Sequence, residues 1–289
     1  MERQDYELIM DAIRNSNKSE YTSKIFEKRN GQLAYHLSDQ RSNIIDFIPF
    51  NESCSVLELG AEGGAITSKL IKRVKSIDAI EEDEQLFEIL KTRMDGVQGV
   101  RCIKENIREY MNSQSNRYDV VLLIGTLEKA NLYYKEENPY LQMIDEAWSL
   151  LKDNGLLVIA VDNKLGLRNW AGCREKYSQY FFESIEGYPH HEGAKMISRK
   201  ELLMALDGSE VKRYYMYYPY PDYVFTSSIY SDDCLPKRGE LKANGCNVFS
   251  NRMLLFNDSA AFDELIDEGL FKEFSNSYLV IGKKGITNV

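Results

Sequence analysis

Val56-Leu57-Glu58-Leu59-Gly60-Ala61-Glu62-Gly63-Gly64 is an apolar run that enters a glycine-rich turn, and a helical pattern follows it. A second apolar run, Ile77-Asp78-Ala79-Ile80-Glu81, ends on an acid 21 residues after Gly60. Strands buried on both faces read as near-continuous apolar runs, so the two segments predict neighbouring parallel strands joined by a helix. The glycines let the backbone approach a ligand closely, and the Glu81 carboxylate can accept hydrogen bonds from both hydroxyls of a ribose. Gly60, Gly63 and Gly64 spell G-x-x-G-G rather than G-x-G-x-x-G. The dinucleotide fingerprint puts its second glycine two positions after the first, where a pyrophosphate must pass. This spacing therefore suits an adenosine cofactor without a pyrophosphate. It disfavours a nicotinamide oxidoreductase, for which no Tyr-x-x-x-Lys pair stands in the expected place either.

Three further segments follow in order. Val100 to Ile103 reads as a third strand, followed by Glu105-Asn106-Ile107. Asp119 to Gly125, then Thr126-Leu127-Glu128, reads as a fourth strand and its exit loop. Leu150-Leu151-Lys152-Asp153-Asn154-Gly155-Leu156-Leu157-Val158-Ile159 reads as a turn and a fifth strand. Together the five segments resemble the class I S-adenosylmethionine-dependent methyltransferases over residues 50 to 163. The resemblance implies an α/β Rossmann-like methyltransferase sheet of seven strands, mostly parallel with the last strand antiparallel. N-terminal helices precede it and an insertion follows the fifth strand. The implied cofactor is S-adenosyl-L-methionine. Glu58, Gly60, Ala61, Glu62 and Gly63 would form its loop, and Glu81 with Glu82 would meet the ribose. Asn106 and Ile107 would frame the adenine, and Gly125 and Thr126 would line the crevice. The chain departs from the family pattern at Ala61-Glu62, where a glycine is usual, and at Asn106, where an acid is usual.

Composition bounds the rest. Net charge is 36 minus 45, or −9. Phosphate binding relies on Lys and Arg, so an acidic total argues against a nucleic-acid partner. The five cysteines, Cys54, Cys102, Cys173, Cys234 and Cys246, form no C-x-x-C pair and read as free thiols of a reducing compartment. Met1-Glu2-Arg3-Gln4-Asp5 has no basic-then-apolar signal pattern, and no apolar run approaches the ~18 residues a membrane helix needs. A cytoplasmic protein with no membrane span is expected.

Two regions are predicted along the chain: an N-terminal helical segment or lid (1–49) and a methyltransferase domain (50–289). The domain carries a substrate-side insertion at 163–197 and an irregular loop region at 224–260. Helices are expected at Gly64 to Val74, Asp83 to Met94, Pro139 to Leu151, Arg199 to Leu206 with Ser198 as N-cap, and Ala260 to Gly269. Glu58 reads equally as a loop-holding acid or a ligand contact. Glu82 and Asp83 read as caps of the next helix, and Glu128 as a solvated carboxylate at a helix start.

An oxygen acceptor needs a general base, and the three histidines, His36, His190 and His191, are the candidates for it, His191 first. No metal site is expected, because adjacent histidines rarely point at one ion. In the run Tyr214 to Tyr223, the earlier tyrosines suit strand packing; Tyr220, Asp222 and Tyr223, on a proline-fixed loop, suit substrate. Asp162-Asn163-Lys164-Leu165-Gly166-Leu167, Ile185-Glu186-Gly187-Tyr188-Pro189 and Tyr218 to Tyr223 resemble bacterial methyltransferases associated with glycosyltransferases of surface-polysaccharide synthesis. That narrower resemblance implies Asn163, Glu186 and Tyr188 as further substrate contacts and a sugar hydroxyl of a glycan or nucleotide-linked sugar as acceptor, with a glycosyltransferase partner. The alternatives are N-methylation of a small amine and a non-catalytic cofactor-binding scaffold.

Overall fold

The computed structural model describes residues 1–16, 20–242 and 252–285. Its sheet has the strand order β3-β2-β1-β4-β5-β8-β6-β7. The strands are β1 (Ser55–Leu59), β2 (Ser76–Glu81), β3 (Val100–Lys104), β4 (Tyr118–Ile124), β5 (Leu151–Asp162), β6 (Tyr214–Tyr220), β7 (Ser228–Ser231) and β8 (Ser277–Lys283). From β3 to β5 all pairings are parallel; β8 runs antiparallel to both β5 and β6, and β7 antiparallel to β6.

Side-chain alternation along these strands feeds two cores. Leu57, Leu59, Ile80, Val121, Leu123 and Ile159 pack on one face. Val56, Ile77, Ala79, Val120, Leu122 and Val158 pack on the other. Successive residues of a strand point to opposite faces, so a run apolar at every position marks a sheet covered on both sides. A third cluster, with Ile9, Met10, Leu33, Leu37 and Ile89, seats the N-terminal helices against helix Glu84–Arg93.

The sheet has eight strands where seven were expected. The extra one, β7, lies inside the region 224–260 read as irregular. Ser228-Ile229-Tyr230-Ser231 is too short and too polar to announce itself, and it pairs only at the sheet edge, Tyr218 opposite Tyr230. Residues 243–251 of that region, with Cys246, lie outside the described residues. The helix expected from Gly64 to Val74 is reduced to Thr67–Leu70. Beyond it the backbone tightens into i to i−3 bonds, with the Arg73 N–H donating to the Leu70 carbonyl at 2.9 Å. The other helices differ by a residue or two, at Glu84–Arg93, Pro139–Ser149, Arg199–Gly208 and Asp258–Asp267. Ser198 closes a capping box with Glu201.

Residues 163–197 run over the C-terminal ends of β4 and β5 with one short helix, Leu167–Trp170. Buried carboxylates hold this loop. Glu175 Oε2 accepts the Tyr177 and Ser178 N–H groups at 2.7 and 2.5 Å, and Glu183 Oε1 accepts the His190 N–H at 2.7 Å. No helix of the described residues is long and apolar enough to cross a membrane.

Candidate active site

Sequence order reverses between β1 and β4, and in open α/β sheets the ligand crevice lies beyond the carboxyl ends of the strands at that point. Gly60 and Gly125 are the first residues past those two ends. Both have left-handed backbone, with φ of +77° and +74°. A Cβ on Gly60 would stand 2.6 Å from Thr126 Oγ1. Thr126 itself donates to the Leu59 carbonyl at 2.5 Å, tying the two walls together. A Cβ on Gly125 would stand 2.6 Å from the Tyr223 hydroxyl. These are the close approaches that exclude any side chain.

Glu81 ends β2 beside the glycine loop. It is buried; Oε2 accepts the Glu62 N–H at 2.8 Å and Oε1 the Asp83 N–H at 2.9 Å. Each oxygen keeps a second lone pair, which could take a ribose hydroxyl. Burial raises its pKa, the Lys129 charge and the two amides working against that rise. Glu58 is buried beneath the loop, accepts the Thr67 hydroxyl at 2.7 Å and lines a small cavity with Gly60, Ala61, Glu62 and Ile124. Burial pushes its carboxyl up to about 7. Glu62 holds a left-handed φ of +50° where a glycine would be relaxed. Its carboxylate takes the Tyr35 hydroxyl at 2.7 Å and Arg41 at 3.1 Å. Burial alone would raise its pKa, but Arg41, His36 and Tyr35 outweigh that and hold it down.

The remaining cofactor candidates divide. Asn106 is the N-cap of helix Ile107–Ser113: its Oδ1 accepts the Arg108 and Glu109 amides, and its Nδ2 donates to Glu82 Oε2 at 3.0 Å. Glu82 also receives the Tyr133 hydroxyl, while Asp83 caps the following helix through the Leu86 N–H. Ile107 is wholly buried.

Beyond Gly125 stands a charged cluster that the sequence reading missed. Glu128, read as solvated, is fully buried. Its carboxylate accepts the Asp162 N–H at 2.6 Å, Lys176 Nζ at 3.1 Å and the Tyr177 hydroxyl. Lys176 lies 3.6 Å from Asp162 and donates to the Tyr223 hydroxyl at 2.7 Å. Arg168 joins Asp162 at 2.7 Å to Asp222 at 3.1 Å. Burial works against the Lys176 charge, but Glu128 and the groups around it raise its pKa well above the ordinary value. Burial likewise raises the Tyr177 and Tyr223 phenols well above theirs. Both tyrosines stay protonated, and among the described residues nothing accepts the Tyr223 proton.

Of the expected substrate residues, only Tyr223 faces Gly125. Asp222 is occupied by Arg168 and by the Val224 and Phe225 N–H groups, both at 2.9 Å. Asn163 is buried and donates to the Glu273 and Ser275 carbonyls, both at 2.8 Å. Tyr188 is buried and accepts the Met196 N–H at 2.7 Å. Tyr220 is buried in the aromatic core beside Phe262, and Glu186 is exposed. His190 is exposed and paired with Glu183 at 3.1 Å. His191 Nε2 lies 3.1 Å from the Ala194 carbonyl, in a loop that Asn131 fastens through the Gly193 carbonyl at 2.5 Å. His36 is buried behind Gly63, and burial holds its imidazole down to about 4.

A family model described as ribosomal RNA adenine dimethylase matches residues 24–124. The ribosomal RNA small subunit methyltransferase A of Fusobacterium nucleatum is 26% identical over 162 residues, spanning 47% of this chain and 57% of that protein. That of Bacillus licheniformis is 29% identical over 126 residues, spanning 42% and 41%. The chain thus spans about half the length of the curated relatives it matches. Among solved structures, an S-adenosylmethionine-dependent methyltransferase from Archaeoglobus fulgidus superposes with a TM-score of 0.49 at 14% identity, over 96% of this chain and 100% of that one. These relatives overturn the expected exclusion of nucleic acid, and with it the glycan acceptor and the glycosyltransferase partner. The exclusion rested on net charge, a whole-chain sum that says nothing of a local surface. The glycan reading rested on segments around Asn163, Tyr188 and Asp222, whose side chains hold the cap together. Strand order and glycine loop give the chain the fold of a class I S-adenosylmethionine-dependent methyltransferase.

Proposed function

We propose that the protein is a methyltransferase that uses S-adenosyl-L-methionine to methylate a nitrogen acceptor, the exocyclic amino group of an adenine in RNA. The match to the adenine dimethylase model supports this reading most directly: residues 24–124 carry the glycine loop and Glu81 and end at the close of β4. The chemistry beyond Gly125 favours nitrogen over oxygen. Lys176, Tyr177 and Tyr223 are proton donors, and Glu128 is already engaged by three of its neighbours. An oxygen nucleophile would call for a free base beside it, whereas an amine nitrogen attacks first, the sulfonium leaving as a thioether, and releases its proton to solvent afterwards.

When bound, the cofactor supplies a methyl group already activated on a sulfonium. Glu81 holds the ribose, and Gly60 leaves room for the backbone to lie against the ligand. Thr126 keeps the β1 and β4 walls in register, and positioning of this kind contributes roughly 7–11 kcal/mol to bimolecular reactions. Lys176 donates to the Tyr223 oxygen, so the tyrosine keeps its own proton for an acceptor. A ring nitrogen next to an exocyclic amine, as adenine has, can accept it. A small amine is the second reading, supported by the closed, largely buried cluster around Tyr223.

The test is transfer of radiolabelled methyl from S-adenosylmethionine to deproteinised ribosomal RNA, followed by nucleoside digestion. Label in N6-methylated or N6-dimethylated adenosine is expected. Label in no nucleoside, from protein that binds the cofactor, would refute the RNA acceptor, and label then appearing in a small-amine panel would establish the second reading.

A further inference from the structure

A groove of about 430 Å³ lies between the short helix Asn43–Asp46 and the antiparallel pair β6 and β7. That volume is within the roughly 300–1,000 Å³ of small-molecule sites. Phe47, 44% exposed, and Tyr217 both line it and meet edge to face with ring centroids 5.2 Å apart. Asn43, Ser228 and Ser231 add an amide and hydroxyls, and Asp46 is the only ionic group among the lining residues. Arg73 reaches Asp46 at 3.4 Å but is not part of the lining; it lies over the Phe50 ring and donates to the Asp46 and Ile48 carbonyls at 3.1 and 2.7 Å. A phosphate therefore finds no cation in the groove, and a purely apolar ligand would leave the carboxylate, amide and hydroxyls without bonds. A flat heterocycle with N–H groups on its edge suits both kinds of lining. Its face stacks on an aromatic ring. Its edge donates to Asp46 and to Asn43 Oδ1, the Asn43 Nδ2 being committed to the Thr226 carbonyl at 2.7 Å.

Two stretches of chain tie the groove to the crevice. Asn43 is two residues after Arg41, which lines the glycine-loop cavity, and Thr226 is three after Tyr223, which abuts Gly125. A chain spans at most ~3.6 Å per residue, so the groove begins within about 7 Å of Arg41 and about 11 Å of Tyr223, measured along the backbone. We propose that the groove takes one unpaired base of the RNA strand, a base flanking the adenine that is methylated, stacked on Phe47 with its N–H edge on Asp46. Single-stranded RNA is recognised in this way, through splayed bases laid on aromatic side chains. The groove holds the base and leaves the phosphates in water, so it anchors the strand without a basic surface. The proposal rests on the RNA acceptor proposed above and adds a second contact outside the crevice.

Fluorescence anisotropy of the full chain with S-adenosylhomocysteine present tests it. One probe is a labelled single-stranded RNA nonamer with one adenosine; the other is the same strand made abasic at every other position. The two strands carry the same phosphates, so the difference between them reports the bases alone. Wild-type protein is expected to bind the complete strand roughly tenfold more tightly or better, the size of one base stacked on an aromatic side chain. Phe47→Ala should remove most of that advantage and leave the abasic strand within about twofold. Phe47→Trp, which keeps a stacking face, should retain the advantage and guards against a folding defect. A Phe47→Ala protein that loses both strands alike, or neither, overturns the groove, as does wild-type protein that binds the two strands equally. Wild-type protein that binds neither strand overturns it as well. The label-transfer assay decides the RNA acceptor separately: label in adenosine with an inert Phe47 leaves that reading standing without the groove.

Discussion

Glu58→Gln isolates the energetic consequence of burying an acid under the glycine loop. Burial pushes the Glu58 carboxyl from 4.5 to about 7. A group whose folded pKa lies above its unfolded value contributes stability that is fully present below the unfolded pKa. That stability is lost as pH rises through the folded one. For Glu58 the window runs from about pH 4.5 to about pH 7, and at 1.36 kcal/mol per pH unit the linked change is ~3 kcal/mol. Glutamine mimics the protonated acid at every pH and still offers an oxygen to the Thr67 hydroxyl. The assay is urea unfolding of both proteins at pH 5 and pH 8. With m of ~1–3 kcal/mol per M, the wild-type midpoint should fall by about 1 M or more relative to the variant over that range. Parallel behaviour of the two proteins would refute the argument, because the acid would then be ionised in the folded state at no cost.

Glu81→Ala should weaken S-adenosylhomocysteine by ~2 kcal/mol through the lost ribose bonds; unchanged affinity by titration would remove Glu81 from the ribose site. Gly125→Ala puts a methyl group 2.6 Å from the Tyr223 hydroxyl at a φ of +74°. At ~1 kcal/mol for the backbone alone, melting should drop by roughly 2–4 °C, and an unshifted melt would mean that the crevice is open there. Tyr223→Phe removes the proton donor with little change of shape, so kcat/KM for RNA should fall up to about tenfold while cofactor affinity holds. A parallel loss of both would mark Tyr223 as structural. His191→Ala should keep its turnover if the acceptor is nitrogen; a loss of roughly 10²-fold would restore the histidine as a base.

What was legible in the sequence was what a strand end fixes. Glu81 follows an apolar run, and parallel strands deliver their last residues to one crevice, so its position follows from local pattern plus one rule of topology. Gly60 and Gly125 are legible for the same reason. Glu128, Lys176, Asp162 and Arg168 come from segments up to 48 residues apart and meet only in the folded chain. In the sequence each is an ordinary charged residue, and charged residues are usually solvated. Burial of a charge is decided by its partner, which no local window contains. Arg41 carries that argument one step further. Its pairing with Glu62 spans 21 residues and leaves two of its nitrogens idle, so even the pair is incomplete within the chain. Tyr223 and Asp222 share a loop and a residue class, yet Asp222 is consumed by Arg168 and two amides while Tyr223 keeps a proton to give. Residue type did not tell where polar groups would cluster, and only the count of satisfied hydrogen bonds tells which of them are left over. By that count Tyr223, which abuts Gly125 at the end of β4, keeps a donor that no neighbour among the described residues takes.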